Sequence, residues 1–345
     1  MTGRTLRLTS RIRRRTSPVK PGKGATPKVV ALGGGMGLSA SLAALRRITN
    51  NLTAVVTVAD DGGSSGRLRD ELGVLPPGDL RKALAALCGD DDWGQTWARV
   101  IQHRFQSQGE LHEHAVGNLL IVALWEQLGD HVQALDLVGK LLGAQGRVLP
   151  MSAVPLELQA QVKGHDPTCP EDIETVRGQA TVALTRGEVQ SVHVVPHDPP
   201  AVPEAVAAVL DADWVVLGPG SWFSSVIPHL LVPELLDALV ETKARKVLSL
   251  NLAPQPGETE GFSPQRHLEV LGRHAPKLAL DVVLADEAAV PDRESLVETA
   301  RERFGAAVEL APVARPDGTP RHDPELLAAA YDRIFRMHGR IGPWR

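Results

Sequence analysis

Cysteine is nearly absent from this chain: two residues, Cys88 and Cys169, lie far apart and form no CxxC pair. That argues against a disulfide framework or a thiolate zinc site and fits a reducing cytoplasm. Long apolar runs are missing too. None approaches the ~20 residues of a membrane span, and the basic start is not followed by the apolar segment of a signal peptide. There is no excess of positive charge; the formal net charge is −4, so the chain as a whole is not built to coat nucleic acid. No GxSxG elbow occurs and Cys88 reads as a helix-face residue, which leaves covalent serine or cysteine catalysis without support. Nor is there a GK[ST] P-loop or an HExxH motif. His112 and His114 flank Glu113, with His103 upstream, but they read as solvated histidines, and no metal site is assigned to them.

What remains is a chain of 345 residues with 43% hydrophobic and 23% charged residues, enough for a large core. Residues 1–27 carry Arg4, Arg7, Arg11, Arg13, Arg14, Arg15, Lys20 and Lys23 with almost no apolar pattern and read as a disordered basic arm. A contact with an acidic partner, a membrane surface or nucleic acid would explain it, and a mis-assigned start or a plain solvated tail explains it at least as well. Residues 28–345 read as a single α/β domain. KVVALGGGMGLSASLAALRRI is strand, glycine turn and helix: Val29 to Leu32 are all apolar, and Leu38, Leu42, Leu45 and Ile48 recur at helical spacing. A second strand ends at Asp60, and Pro77-Gly78-Asp79 reads as a helix start capped by Asp79. A helical insertion is expected over about 93–145 and a β-rich segment over about 147–196, with Thr181 to Val195 a hairpin turning at Arg186-Gly187. Strands follow at Trp214–Leu217, Val247–Leu252 and Leu278–Glu287, then a final helix through Leu326, Leu327, Ala330, Ile334 and Phe335. This rhythm predicts a doubly wound, Rossmann-like, mostly parallel sheet. Ligands then sit beyond the carboxyl ends of the strands, where the strand order reverses.

The chemistry gathers in the loops after strands. In VADDGGSSGRLRDELGVLPPGDLRKALAAL, Asp60 and Asp61 end an apolar run. A tight loop, Gly62-Gly63-Ser64-Ser65-Gly66, and a helix with Arg67 and Arg69 follow. Carboxylates take ribose hydroxyls or a divalent metal, turned-in amides hold an anion, and arginine grips phosphate with a forked pair of donors. A surface turn with a salt-bridged helix start is the plainer alternative. Gly33-Gly34-Gly35-Met36-Gly37 opens a helix whose free N–H groups favour phosphate. Its spacing is not GxGxxG, so a nicotinamide dinucleotide is not implied. Gly218-Pro219-Gly220-Ser221 repeats the device, and Asn251, Gln255, Gly257, Glu258 and Thr259 make a third polar loop. Asn118, in an apolar helix, is either a buried hydrogen-bonded core residue or a ligand contact. If there is chemistry, it runs on a phosphate, with Asp60 or Asp61 holding Mg²⁺ or acting as base.

Taken in order, VVALGGGMGLS, the long Val58–Leu87 stretch, HAVGNLLIVAL, LPMSAVPLELQAQV, LGPGSWFSSVIPHLLV, NLAPQPGET and Arg321-His322-Asp323 resemble the CofD/YvcK family over nearly the whole chain after the arm. One branch of that family is 2-phospho-L-lactate transferase, which uses Mg²⁺ and a guanosine-diphosphate-activated donor to act on a deazaflavin. The other comprises gluconeogenesis factors, which bind UDP-sugars such as UDP-N-acetylglucosamine and support cell shape and envelope synthesis on gluconeogenic carbon sources. The SSGRLR and LPPGD runs resemble the second branch. The resemblance implies that Asp60 and Asp61 face the cleft used by the transferase acceptor. It places Gly33 to Gly37 and Gly218 to Ser221 on the phosphate side near Asn251 and Gln255, and Arg321 in the nucleotide-sugar site. A tyrosine of that site in some members has no counterpart here, since Tyr331 does not align with it. Envelope-synthesis proteins are the implied partners, and a homodimer would be unsurprising. Two function classes stay open: a UDP-sugar-sensing regulator, and a phosphotransferase with Asp60 and Asp61 as its catalytic pair.

Overall fold

Four consecutive apolar residues cannot alternate between core and solvent, and Val29, Val30, Ala31 and Leu32 are all buried, on a strand covered on both faces. The computed structural model describes residues 26–185 and 187–338. The sequence-predicted basic arm therefore lies, through residue 25, outside the described residues. Strand β1 (Lys28–Gly33) leads through helix α1 (Gly35–Leu45) to β2 (Asn51–Val56). Five helices follow: α2 (Gly63–Leu72), α3 (Gly78–Leu87), α4 (Asp92–Gln102), α5 (Val116–Leu128) and α6 (His131–Leu142). Strand β3 (Arg147–Pro150) closes this half. A small excursion holds β4 (Glu157–Lys163), β5 (Ile173–Arg177), α7 (Gln179–Ala183) and β6 (Glu188–Val195). The α/β alternation then resumes with α8 (Pro203–Leu210), β7 (Trp214–Leu217), α9 (Pro233–Glu241), β8 (Arg245–Ser249), α10 (Pro264–His274), β9 (Val282–Asp286), α11 (Arg293–Phe304), β10 (Ala307–Ala311) and α12 (Pro324–His338).

The main sheet has seven strands in the order β10-β9-β8-β7-β1-β2-β3, and every pairing is parallel. From β1 the chain builds outward through β2 and β3, then returns to β1's other edge and builds through β7 to β10. The order reverses between β1 and β7. A doubly wound Rossmann-like sheet is thus present, with the helical insertion carried by α4 to α6 and the excursion forming an antiparallel sheet, β5-β4-β6. Behind the crossing point, α12 packs on α1; Phe335 stacks on Trp214 at 4.3 Å, and the buried Tyr331 hydroxyl bonds Ser41 and Ser249, each at 2.8 Å. No single described helix is long and apolar enough to cross a membrane. One apolar stretch, a π-helical turn Trp222–Val226 and a 3₁₀ turn Ile227–Leu231, lies in the core.

Four local expectations need correction. Thr181 to Val195 is not a hairpin: its first part is the short helix α7, and β6 pairs with β4. The β-branched Thr181 and Val182 are overridden by tertiary contacts, because the Asp61 carboxylate accepts the Ala180 N–H at 2.8 Å and the Gly178 N–H donates to Leu158 at 2.8 Å, which winds the segment. The Gly62–Gly66 loop is mostly helix, since α2 already begins at Gly63. Asp79 is no cap; it sits inside the first turn of α3 and reaches another element. The segment after Gly220 is π and 3₁₀ turns instead of a regular helix, held by the buried Glu258 carboxylate, which accepts from the Phe223 N–H and the Ser224 hydroxyl.

Candidate functional site: a cleft at the strand-order switch

The two glycine turns that follow β1 and β7 meet in space. A Cβ on Gly37 would stand 2.2 Å from the Pro219 carbonyl oxygen, so only glycine lets these backbones touch. Where they meet, a cleft of about 630 Å³ opens beyond the strand ends. Gly34, Gly35 and Gly37 line it from the start of α1, and Gly220 and Ser221 from the turn after β7. Asn251 and Gln255 lie beyond β8, and Arg315 and Arg321 beyond β10. Leu38 N–H is the first amide of α1 bonded back along the helix, to Gly34. Of the earlier amides, Gly35 N–H donates to the Asp79 carboxylate at 2.9 Å, while those of Met36 and Gly37 have no acceptor back along the helix and stay available to an anion.

Each wall is shaped by side chains spent on the backbone. Asn251 grips Gly220 on both sides, accepting its N–H at 3.0 Å and donating to its carbonyl at 2.9 Å, while Gln255 donates to the Ser221 hydroxyl at 3.1 Å. Opposite them, residues 315–321 form a flap. The Arg315 N–H donates to the Arg321 carbonyl at 2.9 Å, and Ala314 pairs with His322. The buried Asp286, at the end of β9, accepts from Val313 and Ala314 N–H at 2.8 and 3.0 Å and pins the root of the flap. His322, bonded to the Leu250 backbone at the cleft edge, is pushed down to about 4 by burial and is therefore a neutral imidazole near pH 7. Lys82, Arg315 and Arg321 line the cleft, and among the described residues no aspartate or glutamate does.

The sequence-predicted acids divide. Asp60 turns inward: its carboxylate accepts the Gly62 N–H at 3.1 Å and lies close to Asp79. Asp79 in turn accepts the Gly35 N–H at 2.9 Å and pairs with Lys82 at 2.8 Å. A Cβ on Gly34 would stand 2.5 Å from the Asp79 carboxylate, so this glycine too is required by close approach. Asp61 turns away to the start of α7. Ser64 and Asn118 belong to a buried network: Asn118 bonds Ser64 at 3.0 Å and Arg81 at 2.9 Å, and Ser64 bonds His114 at 3.1 Å. His114 is thus a core residue instead of a solvated one. Ser65 hydrogen-bonds Asp60, and Gly63 starts α2 beside it. Arg67 donates to the Glu110 and His112 carbonyls, and Arg69 to Leu156, so both brace loops. Gly33 ends β1 and Gly218 accepts from the Ser41 hydroxyl; both support the turns from beneath. Sequence reasoning missed Asp79, Lys82, Asp286 and Arg315. The Asp79/Lys82 spacing of three in a helix was a readable signal; the others had none.

Burial, then the Asp79 charge, holds the Asp60 carboxyl above its ordinary value of 3.8. The native state therefore keeps this proton longer than the unfolded chain does. Its contribution is fully present below 3.8 and is lost as pH rises through the native value. Asp60→Asn is accordingly expected to melt above the wild type at pH 7, with the gap closing near pH 4. Thermal melts at both pH values check this; a variant less stable than wild type at pH 7 would contradict it.

This fold and site define a doubly wound α/β protein with a cleft at its strand-order switch lined by glycine turns, two arginines and a lysine. A family model described as 2-phospho-L-lactate transferase CofD matches residues 29–316, and the chain belongs to that family. It is 54% identical over 312 residues to a protein of Mycobacterium tuberculosis provisionally named a gluconeogenesis factor, covering 90% of each chain. It is 36% identical over 317 residues to the gluconeogenesis factor of Listeria monocytogenes, covering 88% of this chain and 94% of that one. A crystal structure of a UPF0052-family protein from Bacillus halodurans superposes with a TM-score of 0.77 at 32% identity, covering 89% of this chain and 99% of that one.

Proposed function

We propose that this chain is a gluconeogenesis factor that binds a nucleotide-diphosphate sugar of the UDP-N-acetylglucosamine type in the switch-point cleft. In this reading it acts in the cytoplasm, and its ligand-bound form engages envelope-synthesis proteins and supports cell shape during gluconeogenic growth. The observation that carries the ligand class is the cleft lining: two arginines, Arg315 and Arg321, facing the start of α1, where Asp79 takes the Gly35 N–H and is itself balanced by Lys82. The names of the relatives support the gluconeogenic part alone. A thermal-unfolding panel with UDP-N-acetylglucosamine, UDP-glucose, UDP, GDP and NAD tests it. Ligand at about 100 times its dissociation constant adds about 2.7 kcal/mol, a shift of several degrees. The expected result is a rise with UDP compounds, lost in Arg321→Ala. No rise with any UDP compound at millimolar concentration would refute the reading.

The Asp60 environment favours a second reading, a transferase that moves a phospholactyl-type group from a nucleotide-diphosphate donor. A carboxyl held above its usual range beside the phosphate side suits proton abstraction from an acceptor hydroxyl. Among the described residues no three His, Cys, Asp or Glu side chains converge as a metal site. A Mg²⁺ ion there would be shared with the donor's phosphates. Mg²⁺-dependent release of nucleotide from GDP- or UDP-linked donors, lost in Asp60→Asn, would select this reading over the first.

A further inference from the structure

We propose that Arg315 and Arg321 act together as a two-point clamp for two adjacent phosphates, and that Arg315 makes the cleft prefer a nucleoside diphosphate over a monophosphate. The inference rests on the nucleotide reading above and names what that site selects. Arg315 and Arg321 are the two ends of one flap, joined through the Arg315 N–H and the Arg321 carbonyl at 2.9 Å, so their side chains spring from neighbouring points on a common support. That support is tied down at both levels. Asp286 holds its root, and at its tip Asp317 accepts both the N–H and the hydroxyl of Thr319, at 2.9 and 2.6 Å.

Both arginines line the cleft, and neither guanidinium has a hydrogen-bond or ion-pair partner among the described residues. The flap's own acid, Asp317, bonds Thr319 through one oxygen and feels the charge of both arginines without a direct ion pair to either among the described residues; it lies outside the cleft lining, which holds no described aspartate or glutamate. Lys82 is already paired with Asp79, which leaves the two arginines as the unpaired cations of the cleft. A guanidinium fork matches one phosphate face through two parallel hydrogen bonds. A monophosphate can satisfy one fork and leaves the second unpaired; adjacent phosphates satisfy both. The opposite wall, at the start of α1 and Ser221, offers donors to the remaining phosphate oxygens.

Isothermal titration of the full-length protein with UDP, UMP, pyrophosphate and orthophosphate tests the clamp. Wild type is expected to prefer UDP over UMP by at least about tenfold, the worth of one charged hydrogen-bonded contact. Arg315→Ala should bring UDP and UMP within about threefold of each other by weakening UDP, with UMP little changed. Arg315→Lys keeps the charge without the fork and should restore only part of the preference. Arg315 is exposed, so these variants should melt with the wild type. The clamp is overturned if Arg315→Ala weakens UDP and UMP by one common factor, or leaves the preference intact. Pyrophosphate against orthophosphate separates the clamp from the nucleotide reading. A wild type that ignores both nucleotides but prefers pyrophosphate refutes the nucleotide reading and keeps the clamp. A wild type that prefers neither UDP nor pyrophosphate refutes the clamp.

Discussion

Gly37→Ala is expected to destabilise the protein and to abolish any ligand-induced thermal shift, although it places the best helix former inside a helix. In an open helix the same change would add about 1 kcal/mol of stability. Here the new methyl would stand 2.2 Å from the Pro219 oxygen and 2.6 Å from the Gly220 Cα, both backbone atoms that no rotamer change can move. The two glycine turns must separate, at the cost of about 1–3 kcal/mol typical of overpacking. They also form the cleft floor, so binding should fail with stability. Gly139→Ala in α6 is the internal control, because its Cβ would have 3.9 Å of clearance. Urea unfolding of both variants decides the matter: Gly37→Ala unfolding at or above the wild-type midpoint would remove steric contact as the reason for glycine here.

The second large effect is expected at Asp286. Its carboxylate accepts three backbone N–H groups, from Ala288 at 2.9 Å and from Val313 and Ala314. Asp286→Ala strands these donors in a buried site, where each unsatisfied group costs about 1–3 kcal/mol before water enters. A net loss of about 3 kcal/mol is expected. Asp286→Asn should fall between, because an amide supplies one oxygen where the carboxylate supplies two. The flap that Asp286 roots carries both cleft arginines, so Asp286→Asn, even where fully folded, should bind nucleotide at least about tenfold more weakly. Chemical unfolding together with titration of the folded variant checks both halves. Intact affinity in a destabilised Asp286→Asn would show that the flap does not depend on its root.

Much of the architecture was legible because the signals are local. Val29 to Leu32 and Trp214 to Leu217 are runs that only a doubly covered parallel strand accommodates, and both are central strands. The glycines after them announced close backbone approach, and the turns do touch. The segment from Ala307 to Ala311 gave no comparable signal. Its Glu309 and partly exposed positions belong to an edge strand, where burial on one side leaves no continuous apolar run. Thr181 to Ala183 misled for the opposite reason: strong strand formers were wound into helix by a carboxylate 119 residues earlier in the chain.

The sequence by itself therefore determined the class of fold, the glycine turns and the richness in arginine and acid near them, since periodicity and turn chemistry act over a few residues. Only the tertiary structure decided where each charge points. Asp60 and Asp61 are adjacent in the chain, yet one joins Asp79 beside α1 and the other accepts from the first turn of α7. Arg67 looked like a phosphate ligand and braces a loop, whereas Arg315, which looked like nothing, lines the cleft. A side chain's partner is set by the packing of elements far apart in sequence, and no local pattern carries that information.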